Sequence, residues 1–155
     1  MSVSLVSARA GTWRDCISPI VWRRVVSRIQ KEESVSTDVA EQIMTATCQY
    51  LELCAKFPKQ SHVPSKQVDI GWHAFLMYTR EYADFCNRLG GHFIHHCPND
   101  DQVVSEADSS QTVAFMLEQG IEFDPKLWNA AGQCTSSCHP SNDCGSGDCN
   151  SDSDA

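Results

Sequence analysis

At 155 residues and 41% hydrophobic content the chain is long enough for one domain with its own core, while a formal net charge of -8 excludes a general nucleic-acid binder, which needs a basic face to displace counterions from phosphate. The start, MSVSLVSARAGTW, has neither the regions of an export signal nor a run that could span a bilayer, so a cytoplasmic protein without a membrane partner is expected. Nine cysteines in that compartment point to free thiols or metal ligands instead of disulfides, and the odd count leaves at least one unpaired.

Charge is unevenly placed. Arg9, Arg14, Arg23, Arg24, Arg28 and Lys31 stand against Asp15 alone in the first 31 residues, so the rest of the chain sums to about -13. Residues 1–17 are expected to be an extension. Helix one is then predicted from Ser18 to Gln30, with Ser18 as cap, Pro19 in the first turn, and Ile20, Val21, Val25 and Ile29 at helical spacing. Its arginines form a face that suits an acidic protein partner or simply solvent. Thr37 and Asp38 can cap a longer helix reaching about Phe57, with Ile43, Met44, Thr47, Tyr50, Leu51 and Cys54 as one apolar stripe. The FPKQ sequence stops it.

Ser65 caps a predicted third helix from Lys66 to Tyr78, and a fourth follows with almost no loop from Thr79 to the Gly90-Gly91 pair. HFIHHCP is short and ends in Pro98, so it reads as extended. A fifth helix is expected from Ser109 or Ser110 to Gly120, and Asp124-Pro125 opens one more turn whose Leu127 and Trp128 would lie as a lid on the core. The expected fold is therefore all-α, a compact bundle of about five helices over residues 18–128 with a short extended HFIHH segment. Residues 129–155 are acidic, rich in Cys, Ser and Asp, and without large apolar side chains, so a disordered tail is expected.

Four of the six histidines, His73, His92, His95 and His96, fall within 24 residues. Asp69 and His73 are four apart on helix three and project from one face. If the fourth helix returns antiparallel, His95 or His96 can reach them. In an extended segment His92 and His96 share one side and His95 takes the other, so all three cannot enter one site. Asp69, His73, His95 and His96 are thus candidate metal ligands; two imidazoles and a carboxylate with open positions suit non-haem iron or zinc, and a metal-dependent enzyme stays open. The competing reading is a structural hydrogen-bond network within an interaction or scaffold module. There Trp72 and Tyr82 frame a pocket or contact surface, and Phe75, Phe85 and Phe93 are plain core. A buried Asp69–His73 pair would make His73→Gln cost roughly 1–3 kcal/mol.

Cys86 and Cys97 also permit a cysteine nucleophile with His73 or His95 as base. Cys86, however, shares a stripe with Tyr82 and Leu89, where a small buried hydrophobe is expected. In the tail, Cys134, Cys138, His139, Cys144 and Cys149 form C-x3-C-H-x4-C-x4-C. That is enough for loose zinc or Cu(I) binding, but the spacing is not the paired C-x2-C of a zinc ribbon and nothing apolar surrounds it, so a flexible redox-sensitive tail is the expected state.

The segment VDIGWHAFLMYTREYADFCNRLGGHFIHHCP resembles the glycine-rich domain-containing protein-like family, known from plant proteins and from short bacterial ones. The resemblance rests on Val68, Asp69, Trp72, His73, Thr79, Tyr82, Phe85, Cys86, Gly91, Phe93, His95, His96 and Pro98, and extends loosely from Ser18 to Trp128. The small cysteine-bearing tail is similar to that of short actinobacterial members. It implies a mostly helical domain without naming a reaction, and it leaves His92 outside the motif.

Overall fold

The computed structural model describes residues 12–98, 106–128 and 136–139. Helix α1 runs Pro19–Glu33, with the Ser18 hydroxyl accepting from the Val21 amide at 3.3 Å and Ser34 closing it in the left-handed region. Its buried residues are Val25, Val26 and Ile29. Ile20 is 56% exposed instead of buried, because it stands four residues before Arg24 and shares that residue's outward face. Helix α2, Thr37–Lys56, is capped one residue earlier than expected, by Ser36, whose hydroxyl accepts from the Val39 amide. All six residues of its predicted stripe are buried, and α2 packs against α1, α3 and α4.

Helix α3, Lys66–Leu76, starts at the predicted Ser65 cap and is followed by α4, Thr79–Gly90, which ends in the left-handed Gly91. Gly71 decides how closely α3 lies on α2. A methyl group built there would stand 2.0 Å from Thr47 Oγ1, so no larger residue fits without displacing the Thr47 side chain or the helix that carries it. That hydroxyl lies 2.8 Å from the Ile43 carbonyl of its own helix and 3.3 Å from the Val68 carbonyl of α3, fastening the two where the chain reaches Asp69.

Strand β1, His95–Pro98, follows α4 in the stretch expected to be extended, and the expected all-α fold holds apart from one partner strand. That partner, β2, Ser136–His139, comes from the tail and pairs antiparallel with β1, so His95 faces His139 and His96 faces Cys138 in the register. The rest of the expected disordered tail lies outside the described residues. Helix α5, Glu106–Glu118, begins three residues before Ser109 and ends near the left-handed Gly120.

Two single 3-10 turns complete the fold. The first, Trp13–Cys16, was not expected; Trp13 is buried and stacks on Trp22 at 5.6 Å, joining residues of the expected extension to the core. The second, Pro125–Leu127, buries Leu127 and Trp128, and Trp128 meets Tyr50 at 6.0 Å, which is the predicted lid. No helix among the described residues is long and apolar enough to cross a membrane.

Candidate metal centre

Helix α3 and the segment leading into β1 meet along a seam with two sides. On the inner side Trp72 Nε1 donates to the Tyr82 hydroxyl at 2.9 Å, and that hydroxyl donates to the Ile94 carbonyl. Trp72, Tyr82 and Ile94 are fully buried, so Trp72 and Tyr82 frame no surface pocket. The α3 periodicity that turns Trp72 inward leaves Asp69 partly exposed and turns His73 toward solvent. Phe75 and Phe85 are core as expected, but Phe93 is 39% exposed: alternation in an extended chain puts it opposite the inward Ile94.

On the outer side Asp69, His73 and His96 converge. His96 Nε2 lies 2.8 Å from Asp69 Oδ1 and donates to it, while His73 Nε2 is 3.4 Å from Asp69 Oδ2. One ligand atom from each of the three lies within 4.8 Å of the others. The two imidazoles meet edge to face at 4.4 Å, and the His96 ring also rests on Trp72 at 4.3 Å. Exposure grades across the cluster: the His96 side chain is 10% exposed, Asp69 22% and His73 61%. The Asp69 carboxylate beside it raises the His73 pKa above the ordinary value, against an opposing effect of partial burial.

The remaining sequence candidates separate from this cluster. His95 turns the other way and packs on Phe93 at 4.8 Å, as alternation requires. The His92 Nδ1 donates to the Gly90 carbonyl at 3.0 Å. Cys86 is fully buried and burial pushes its thiol up to about 11, which removes it as a nucleophile near neutral pH. Cys97 and Cys54 are disulfide-bonded, so the expectation of free thiols fails for both, and Cys97 offers no nucleophile either. Cys16, Cys48 and Cys86 do carry free thiols. Of the tail set, Cys134, Cys144 and Cys149 lie outside the described residues, and for Cys138 and His139 only the backbone of β2 is described.

The sequence reading passed over His62, in the loop before α3. It is 2% exposed, Tyr50 donates to its carbonyl at 2.6 Å, and the next amide, of Val63, donates to Thr112 on α5. Its Nε2 has no hydrogen-bond partner, and burial lowers its pKa. A lone histidine between serine and valine gives no periodic or motif signal by which to find it.

No curated protein and no solved structure matches the chain. The resemblance to the glycine-rich domain-containing family is overturned by the comparison with family models, in which the match is to a different, uncharacterised group. The positions that carried the resemblance include buried Trp72, Tyr82 and Phe85 and the left-handed Gly91, features that packing and capping demand of many helical domains. The matching model spans residues 16–117, well over half of the sequence, and the chain belongs to the UCP032817-like family.

Proposed function

We propose that Asp69, His73 and His96 bind a divalent metal ion, zinc or non-haem iron. The observation that carries this reading is the approach of their three ligand atoms to within 4.8 Å on a half-exposed face. Around a tetrahedral ion with bonds of about 2.0 Å, neighbouring ligand atoms stand about 3.3 Å apart. His96 Nε2 lies 2.8 Å from Asp69 Oδ1 and His73 Nε2 3.4 Å from Oδ2, so each imidazole is near that spacing from one carboxylate oxygen and the rings would shift to share an ion. His73, exposed and on a single helix turn with Asp69, can swing to close the third. Binding needs a bare Nε2 on each ring, so the His96 ring proton moves to Nδ1 and any second proton on His73 leaves to solvent, and affinity falls in acid. Two histidines and one carboxylate leave coordination positions for water or a ligand.

A second reading is favoured by the 2.8 Å hydrogen bond between His96 and Asp69: the cluster is a staple between α3 and β1 and holds no ion. Elemental analysis separates the two. Full-length protein purified without chelator, with the tail cysteines changed to serine, should carry about one equivalent of zinc or iron. His73→Ala and His96→Ala should each lose it. Metal-free wild type whose Tm is unchanged by zinc, iron or chelator would leave only the staple.

A further inference from the structure

We propose that the groove along α1 docks a short acidic peptide segment of a partner protein. Arg23, Arg24, Ser27, Arg28 and Lys31 of α1 line it together with Tyr78, which lies between α3 and α4, and it encloses about 410 Å³. Elsewhere in the fold Lys56 pairs with Glu52 at 3.1 Å, Arg88 with Asp84 at 3.0 Å, and Arg14 lies over the Trp13 ring at 4.4 Å, while Lys59, Lys66, Arg80 and Lys126 form no ion pair among the described residues and do not line this groove. Within the groove, Arg28 pairs with Glu32 at 2.8 Å and sits 5.9 Å from the Tyr78 ring centre. Among the described residues, Arg23, Arg24 and Lys31 have no carboxylate within ion-pair distance.

Three free cations on one helix face contrast with a chain that is strongly acidic beyond residue 31. An acidic ligand is drawn to α1 and repelled elsewhere. Arg23 to Lys31 covers about 12 Å of helix, the length of about four residues of extended peptide. A nucleic-acid duplex is longer than that and would lay its flanking phosphates over acidic surface. Arginine forks grip carboxylates in pairs. Apolar edges are present too: Ile20, 56% exposed, shares the outward face of Arg24, and Met77, 63% exposed, adjoins Tyr78 in the chain. The fitting segment therefore carries two or three carboxylates within about four residues, next to an apolar side chain.

Fluorescence anisotropy on the full chain at low ionic strength tests this with a labelled pentapeptide of glutamates around a leucine, and with its glutamine counterpart. The glutamate peptide should bind wild type and the charge-matched Lys59→Glu/Lys126→Glu variant alike, and bind Arg24→Glu/Lys31→Glu at least about tenfold more weakly. The glutamine peptide should bind none of them. Equal binding by the two double variants, or no binding to wild type, overturns the proposal. So does adsorption to phosphatidylserine vesicles that Arg24→Glu/Lys31→Glu abolishes while no peptide binds, since it assigns the groove to a membrane surface.

Discussion

The two sides of the α3–β1 seam use similar parts to opposite ends. Inside, one indole N–H, one hydroxyl and one carbonyl form a chain in which each donor has one acceptor, and water is excluded. Outside, two imidazoles share a single carboxylate, one at each oxygen, and exposure rises from His96 through Asp69 to His73. A closed chain of this kind fixes geometry, because every change leaves a buried group unpaired. An open cluster with more nitrogens than protons to place can exchange partners, which is what a metal or a titrating pair requires. Position along three turns of one helix thus divides structure from chemistry.

The sharpest way to break that division is to cut the inner chain. Trp72→Ala should cost about 3–5 kcal/mol in urea denaturation, combining a core void with a Tyr82 hydroxyl that has lost its donor. Tyr82→Phe keeps the volume and should cost about 1–3 kcal/mol, since Trp72 Nε1 and the Ile94 carbonyl are both left buried. A Tyr82→Phe protein as stable as wild type would mean that water reaches the inner side. On the outer side His96→Ala should cost about 1–2 kcal/mol, because a mostly buried ring and its bond to Asp69 are lost. His73→Ala should cost under about 1 kcal/mol, as an exposed pair at 3.4 Å contributes little. The sequence expectation of 1–3 kcal/mol for His73 assumed a buried pair; exposure transfers that role to His96. If the comparison is right, metal content departs from that ranking, with His73→Ala losing the ion as fully as His96→Ala at the smallest cost in stability.

The smallest effects are in pH dependence, where two histidines act in opposite senses. Folding lowers the His62 pKa from 6.5, so the unfolded chain takes up that proton first and stability falls as pH drops below about 6.5. The Asp69 carboxylate raises His73, so its contribution is complete below about 6.5 and disappears as pH rises through the raised value. Stability measured from pH 5 to 8 should lose its acid-side slope in His62→Gln and its shallower opposite slope in His73→Ala. A His62→Gln profile that still falls in acid would place the acid-sensitive group elsewhere.

The sequence disclosed what local rules govern. Helical spacing found the α2 stripe, serine caps found the starts of α1 and α3, and alternation separated His95 from His96. It also put Asp69 and His73 on one face, leaving His95 or His96 as the third member. Hidden were features that depend on partners distant in sequence. Nothing in SSCH predicts pairing with HHCP, the burial of Trp13 depends on Trp22, and the disulfide bonding of Cys54 and Cys97 overturned an inference from compartment. Ile20 and Phe93 were misassigned because composition says that a residue is apolar, while only the packed fold says which way it faces. The motif around Trp72 likewise suggested the wrong family, since core positions recur wherever the same packing is needed.

Gly71 gives the α2–α3 contact an influence beyond packing. The absent methyl group lets α3 settle onto Thr47, and the same helix carries Asp69 and His73 two residues to either side. Metals distinguish their ligands by tenths of an ångström. On the proposed reading, a substitution at a position that touches no ion, buried and invisible from the surface, would retune which cation the domain prefers.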